Sequence, residues 1–99
     1  MEKKFELGQI VATRGVADKM ESEKKFYDFV CVSIGRYIQC DWGEMTDGDK
    51  QMNDEAVESG EDRIHASYTR HLDDGSEEKI WIITEWDRSA TTILFPEEY

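Results

Sequence analysis

Residues 79–95 read KIWIITEWDRSATTILF. The first eight, KIWIITEW, are apolar on both faces, as a strand flanked by two neighbours and covered above and below requires. Asp87-Arg88-Ser89 reads as a turn, and TTILF (91–95) as a further strand that Pro96, lacking a backbone donor, ends. In the residues just before, Ile64, Ala66, Tyr68 and Leu72 alternate with Arg63, His65, Ser67, Thr69 and His71, the period of a half-buried strand. Asp73-Asp74-Gly75-Ser76 joins that strand to KIWIITEW, because Asp and Gly tolerate the positive φ angles of a tight hairpin. The second half of the chain is therefore expected to be a three-stranded antiparallel meander.

Further towards the N-terminus the period changes. Phe26, Phe29, Val30, Ser33, Ile34 and Tyr37 recur every three or four residues, which predicts a helix from Glu23 onward that ends or kinks near Gly35. A second helix is expected after the connector Asp41-Trp42-Gly43, capped by Thr46 or Asp47, with Met52 and Ala56 inward and Gly60 just past its end. Residues 5–13 carry the β-branched pair Ile10-Val11 and read as a first strand, followed by a short helical turn over 16–20 and by Ser22 as a cap for the first long helix. The fold class is α+β: an antiparallel sheet, made of the N-terminal strand plus the C-terminal three-stranded meander, packed with two helices. Ninety-nine residues fit a single domain, 1–99.

Eleven aromatics and 38% apolar residues supply a core despite the high charge. No apolar run is long enough to span a membrane, and Met1-Glu2-Lys3-Lys4 leads into no signal region, so a cytoplasmic protein with Cys31 and Cys40 as free thiols is expected. On one continuous helix those cysteines would sit roughly 13 Å apart, beyond disulfide reach.

The net charge of −11 is unevenly spread. Residues 1–40 carry +1, residues 41–62 carry −8, residues 63–72 carry +2 and residues 73–99 carry −6. A field of that sign repels nucleic acid and anionic lipid and attracts basic surfaces. Carboxylates spaced along a helix can also occupy a groove built to track phosphates. Asp41, Trp42, Glu44, Asp47, Asp49, Asp54, Glu55 and Glu58 are the candidate partner-binding residues, with Trp42 as an aromatic anchor. The same run also reads as the solvated face of a surface helix, and Trp42 as the cover of a core edge.

Cofactor and metal chemistry find little support. His65 and His71 lie roughly 20 Å apart along one strand, and Cys31 and Cys40 match no zinc spacing. Asp47, Asp49, Asn53 and Asp54 miss the glycine and glutamate positions of a calcium loop. No phosphate-binding glycine loop, serine elbow or HExxH is present. Thr84, Glu85, Asp87, Arg88, Ser89 and Thr91 form the one polar constellation in which Asp87 and Arg88 could serve an enzyme, but it reads first as ordinary turn chemistry with an ion pair. No metal, cofactor or catalytic residue is assigned, and the chain is expected to act by binding.

WIITEWDRSATTILFPEEY (81–99), with FELGQIVATRG (5–15) and DWGEMTDGDKQMNDEAVESG (41–60), resembles a family of small bacterial proteins labelled plasmid-related. The resemblance implies a setting, plasmids and conjugative elements, and no transferable activity. Small acidic proteins of such elements often disarm host defence, so the expected function is an anti-defence inhibitor, such as an anti-CRISPR, that binds a basic CRISPR or restriction nuclease. The competing expectation is an adaptor or regulatory protein of the mobile element, working through the sheet face and Trp81 or Trp86.

Overall fold

Strand β3 (Glu77–Thr84) takes the interior place expected of KIWIITEW, between β2 (Ile64–His71) and β4 (Ala90–Leu94), antiparallel to both. A computed structural model describes residues 4–99; residues 1–3, on which the reading of the chain's opening partly rests, lie outside it. Before the meander come β1 (Gln9–Ala12), α1 (Arg14–Ser22), α2 (Lys24–Ile38) and α3 (Asp47–Ser59), and a 3-10 turn (Pro96–Glu98) follows it. Among the described residues no helix is long and apolar enough to cross a membrane.

The α+β class holds, with two corrections. The sheet is mixed, in the order β1-β4-β3-β2, because β1 runs parallel to β4. There are also three helices, since the short turn expected over 16–20 is the nine-residue α1. One contact lies at the junction of both differences. The Glu98 carboxylate accepts hydrogen bonds from the Thr13 hydroxyl (2.6 Å) and the Gly15 N–H (3.2 Å), and so caps the start of α1 from the far end of the chain. That contact brings the C-terminal ends of β1 and β4 together, which makes the strands parallel. At the other end, Thr91 Oγ1 donates to the Leu7 carbonyl (2.7 Å) and Gln9 N to the Ser89 carbonyl (3.0 Å). The first strand is accordingly shorter than residues 5–13, and Phe5 and Leu7 are core residues ahead of it.

Three local expectations also shift. Ser22 ends α1, its hydroxyl turned back to the Lys19 carbonyl, and α2 starts after Glu23. Gly35 neither ends nor kinks α2, which runs on to Ile38. Met52 is 66% exposed, whereas Asn53 and Ala56 face inward. The reason lies in Asn53: its amide donates to the His65 carbonyl (2.8 Å) and accepts from the His65 N–H (3.2 Å), pinning α3 to the free edge of β2 and turning Met52 outward.

Phe26, Val30 and Tyr37 of α2 and Val16 of α1 share one core with Ile64, Ala66, Tyr68, Ile80, Ile82 and Ile93 of the sheet. A hydroxyl relay crosses it. Thr91 spends its proton on the Leu7 carbonyl, so Thr84 donates to Thr91 (2.7 Å) and Tyr37 to Thr84 (2.7 Å). Buried hydroxyls satisfied in this way avoid a desolvation penalty of roughly 1–3 kcal/mol each. Glu78, at the rim, accepts from Lys19 and from Arg70 (2.7 Å), and Arg70 also bonds Glu23 (2.9 Å). Burial pushes the Glu78 carboxyl up, but its hydrogen bonds and the two cations outweigh that and hold it below its ordinary value.

Two glycines, one in α2 and one in the connector, should respond oppositely to alanine. Gly43 has φ +72° and a Cβ there would overlap the Ser67 carbonyl, so Gly43→Ala should cost at least about 2 kcal/mol in urea denaturation. At Gly35 a Cβ meets open space, and Gly35→Ala should stabilise by about 0.5–1 kcal/mol in the same assay. Glu78 sets a pH dependence. With its folded pKa depressed, its stabilisation is complete above the ordinary glutamate pKa and is lost as pH falls through the lower folded value. The Tm of Glu78→Gln should therefore fall less steeply than that of the parent between pH 5 and pH 3.

Candidate functional site

The acidic segment is built from three local devices. Thr46 caps α3 by accepting from the Asp49 N–H (3.1 Å). Asp47 and Asp49 in the first turn complement the positive end of the helix dipole. Gly60, at φ +74°, closes the helix in the left-handed conformation. Spacings of seven and four residues place Asp47, Asp54 and Glu58 on one line along the helix, with Glu55 beside it.

The structure divides the eight candidate residues by what their side chains touch. Trp42 is 3% exposed, packed between Phe5 (ring centroids 5.9 Å apart) and Tyr37 (5.5 Å). Its indole N–H donates to Asp54 Oδ1 (2.9 Å). Asp41 is held bidentately by Arg36 at 2.8 and 3.1 Å, which keeps its carboxyl below the usual range. Tryptophan 42 and these two carboxylates therefore fasten the connector and α3 to the core. Glu44, Asp47, Asp49 and Glu58 are exposed and make no ion pair among the described residues; Glu55, also exposed, accepts only from the Gln51 amide (3.3 Å).

Between α3 and β2 lies an open groove of about 670 Å³, with Met45 and Met52 along it and Asp49, Glu55 and Asp62 at its borders. His65 reaches into the same groove. Burial first, and Arg63 second, hold its imidazole below the ordinary value, so it adds no positive charge at neutral pH. Its ring meets the edge of Trp81 (4.6 Å), and Trp81 in turn meets Tyr99 (5.7 Å), whose hydroxyl accepts from Arg63 (2.8 Å). Trp81 is thus engaged on the outer sheet face. Trp86 is not: β3 ends at Thr84, short of residue 86, and leaves this indole 66% exposed in the turn.

That turn holds a residue whose role the sequence did not disclose. Arg88 adopts φ +60°, a left-handed conformation costing roughly 1 kcal/mol for a non-glycine residue. Its guanidinium donates to the carbonyls of Ala56 (2.8 Å), Asp62 (2.6 Å), Glu61 (3.4 Å), Glu85 (3.2 Å) and Trp86 (3.1 Å). Arg88 is therefore a clamp between the end of α3 and the β3–β4 turn, while the Asp87 carboxylate turns to the Ser89 N–H (3.0 Å). Thr84 and Thr91 are consumed by the buried relay. The polar constellation of 84–91 is divided among structural tasks. Among the described residues no group of three or more His, Cys, Asp or Glu is placed to hold a metal ion, and Cys31 and Cys40 are both free thiols.

The division of carboxylates has a direct check. Asp54→Ala strands the Trp42 indole N–H and should cost about 1–3 kcal/mol in urea denaturation, whereas Glu58→Ala should change stability by less than about 0.5 kcal/mol. Compared with family models, with curated proteins and with solved structures, the chain shows no match.

Proposed function

We propose that this chain is an anti-defence inhibitor of a mobile element, which binds a basic nucleic-acid-handling enzyme, in the first place a CRISPR nuclease, through the exposed acidic face of α3. The observation that carries the reading is the set of exposed carboxylates on Glu44, Asp47, Asp49, Glu55 and Glu58, none of which makes an ion pair among the described residues. From Asp47 to Glu58 the helix rises about 16 Å, roughly the axial length of five nucleotides in one strand. Five carboxylates in that span, against Lys50 alone, approach the charge spacing of a nucleic-acid strand. A channel lined with Lys and Arg for a guide–target duplex offers the complementary field. The plasmid-related resemblance of residues 81–99 supplies the biological setting.

Occupation of such a channel excludes nucleic acid by charge and volume and needs no chemistry from the inhibitor. Competition with nucleic acid for a purified CRISPR nuclease, measured at two salt concentrations, tests this. The wild-type chain should displace nucleic acid and weaken steeply as salt rises. Replacing Asp47, Asp49, Glu55 and Glu58 with Asn or Gln leaves Trp42, Asp54 and Asp41 intact and should weaken binding at least about tenfold, with a shallower salt dependence. Undiminished, salt-insensitive binding by that variant would refute the acidic-face reading and favour an adaptor that works through the sheet face.

A further inference from the structure

We infer that Trp86, held beside the end of α3 by Arg88, is the anchor of the interaction surface and receives an arginine side chain of the protein partner. The inference deepens, and rests on, the reading of the chain as a binder of a basic protein surface. Of the three tryptophans, Trp42 is buried, Trp81 makes edge-to-face contacts with His65 and Tyr99, and Trp86 presents two-thirds of its surface to solvent. Its backbone is held in place. The carbonyls of Trp86 and Glu85 from the turn, and of Glu61 and Asp62 from the segment after α3, converge within 3.4 Å on one guanidinium. Elements 24 residues apart in sequence, Asp62 and Trp86, are thereby brought side by side.

Charge and chemistry select the occupant. Glu61, Asp62, Glu85 and Asp87 are all exposed around this junction, while of the two cations beside them Arg88 has turned its guanidinium onto backbone carbonyls and Arg63 donates to the Tyr99 hydroxyl. A base stacking on the indole would bring its phosphates against those carboxylates, and an anionic membrane would meet the same repulsion. Arginine suits both features. Its flat, weakly hydrated guanidinium stacks on an indole face while its N–H groups pair with carboxylates. Lysine, a compact and strongly hydrated charge, gains less from the ring. Tryptophan is also enriched among the few residues that dominate interface energies, and acids around it would steer the cation to it.

Hexa-arginine and hexa-lysine peptides titrated calorimetrically into the whole protein at low salt provide the probe. The wild-type chain should bind hexa-arginine more tightly than hexa-lysine. Trp86→Ala should weaken hexa-arginine binding about three- to tenfold and erase the preference, while Trp86→Tyr should keep most of it. The indole is exposed, so both variants should retain the parent circular dichroism, and Trp86→Tyr controls for any local loss of order at the turn. Hexa-arginine bound equally well by Trp86→Ala and by the parent, or no binding of either peptide by the parent, would overturn the anchor. The variant neutralised at Asp47, Asp49, Glu55 and Glu58 separates the two readings. Loss of binding there with Trp86→Ala unchanged removes the anchor alone, whereas a lost arginine preference in Trp86→Ala with undiminished binding by the neutralised variant removes the α3 face alone.

Discussion

The indole of Trp42 is the point at which the parts of this molecule that sequence keeps separate are tied together. Its ring packs on Phe5 from the N-terminal segment and Tyr37 from α2, its N–H bonds Asp54 on α3, and the backbone carbonyl of the same residue accepts from the Ser67 N–H on β2. Each contact is individually modest, but they share one rigid group whose burial removes a large apolar area from water. The next residue, Gly43, adopts a φ that lets the connector approach β2 closely, and Glu44 then donates to the Ser67 carbonyl (2.7 Å). The acidic helix can begin where it does because the connector is fastened first. A helix that buries only Asn53 and Ala56 would otherwise have little to hold it.

That weak burial is compatible with the charge α3 carries. A helix with a broad apolar stripe would leave less room for a line of carboxylates and their neighbours, and crowding like charges costs self-repulsion. The cost is offset from outside the helix. Thr46 and the first-turn acids suit the N-terminal end, and although the last turn has no basic residue of its own, Arg88 brings a cation to the Ala56 carbonyl from the β3–β4 turn. The left-handed strain at Arg88 fits this task, since five carbonyl acceptors repay it.

What was legible in the sequence was local. The apolar run of β3, the helical period of α2, the Thr46 cap and Gly60 all depend on neighbours within a few residues, and all were found. What was missed depended on distance. The parallel pairing of β1 and the full length of α1 rest on Glu98, more than eighty residues from Thr13 and Gly15. The inward turn of Asn53 rests on the edge of β2. Within the candidate site, charge density could be read by counting, but composition gives Asp41, Asp54 and Glu58 the same weight. Only contacts separate the carboxylate held by Arg36 and the one beneath Trp42 from the one left to solvent.

The sheet order then gives the molecule a direction. Trp42, Glu44 and Asn53 close the free edge of β2, so the acidic segment lies along that edge, while the opposite edge is β1, from the part of the chain with a net charge of only +1. The densest acidic segment of the chain, net −8 over residues 41–62, thus lies at the β2 edge. On the proposed reading, the field of a basic channel would exert a torque as well as an attraction on such a body and would favour arrival with the α3 side leading. Orientation before contact matters for a small binder, because most encounters between specific patches fail for want of it. The balanced first forty residues leave the net acidity to the rest of the chain, where residues 41–62 hold the denser share and residues 73–99 the remainder.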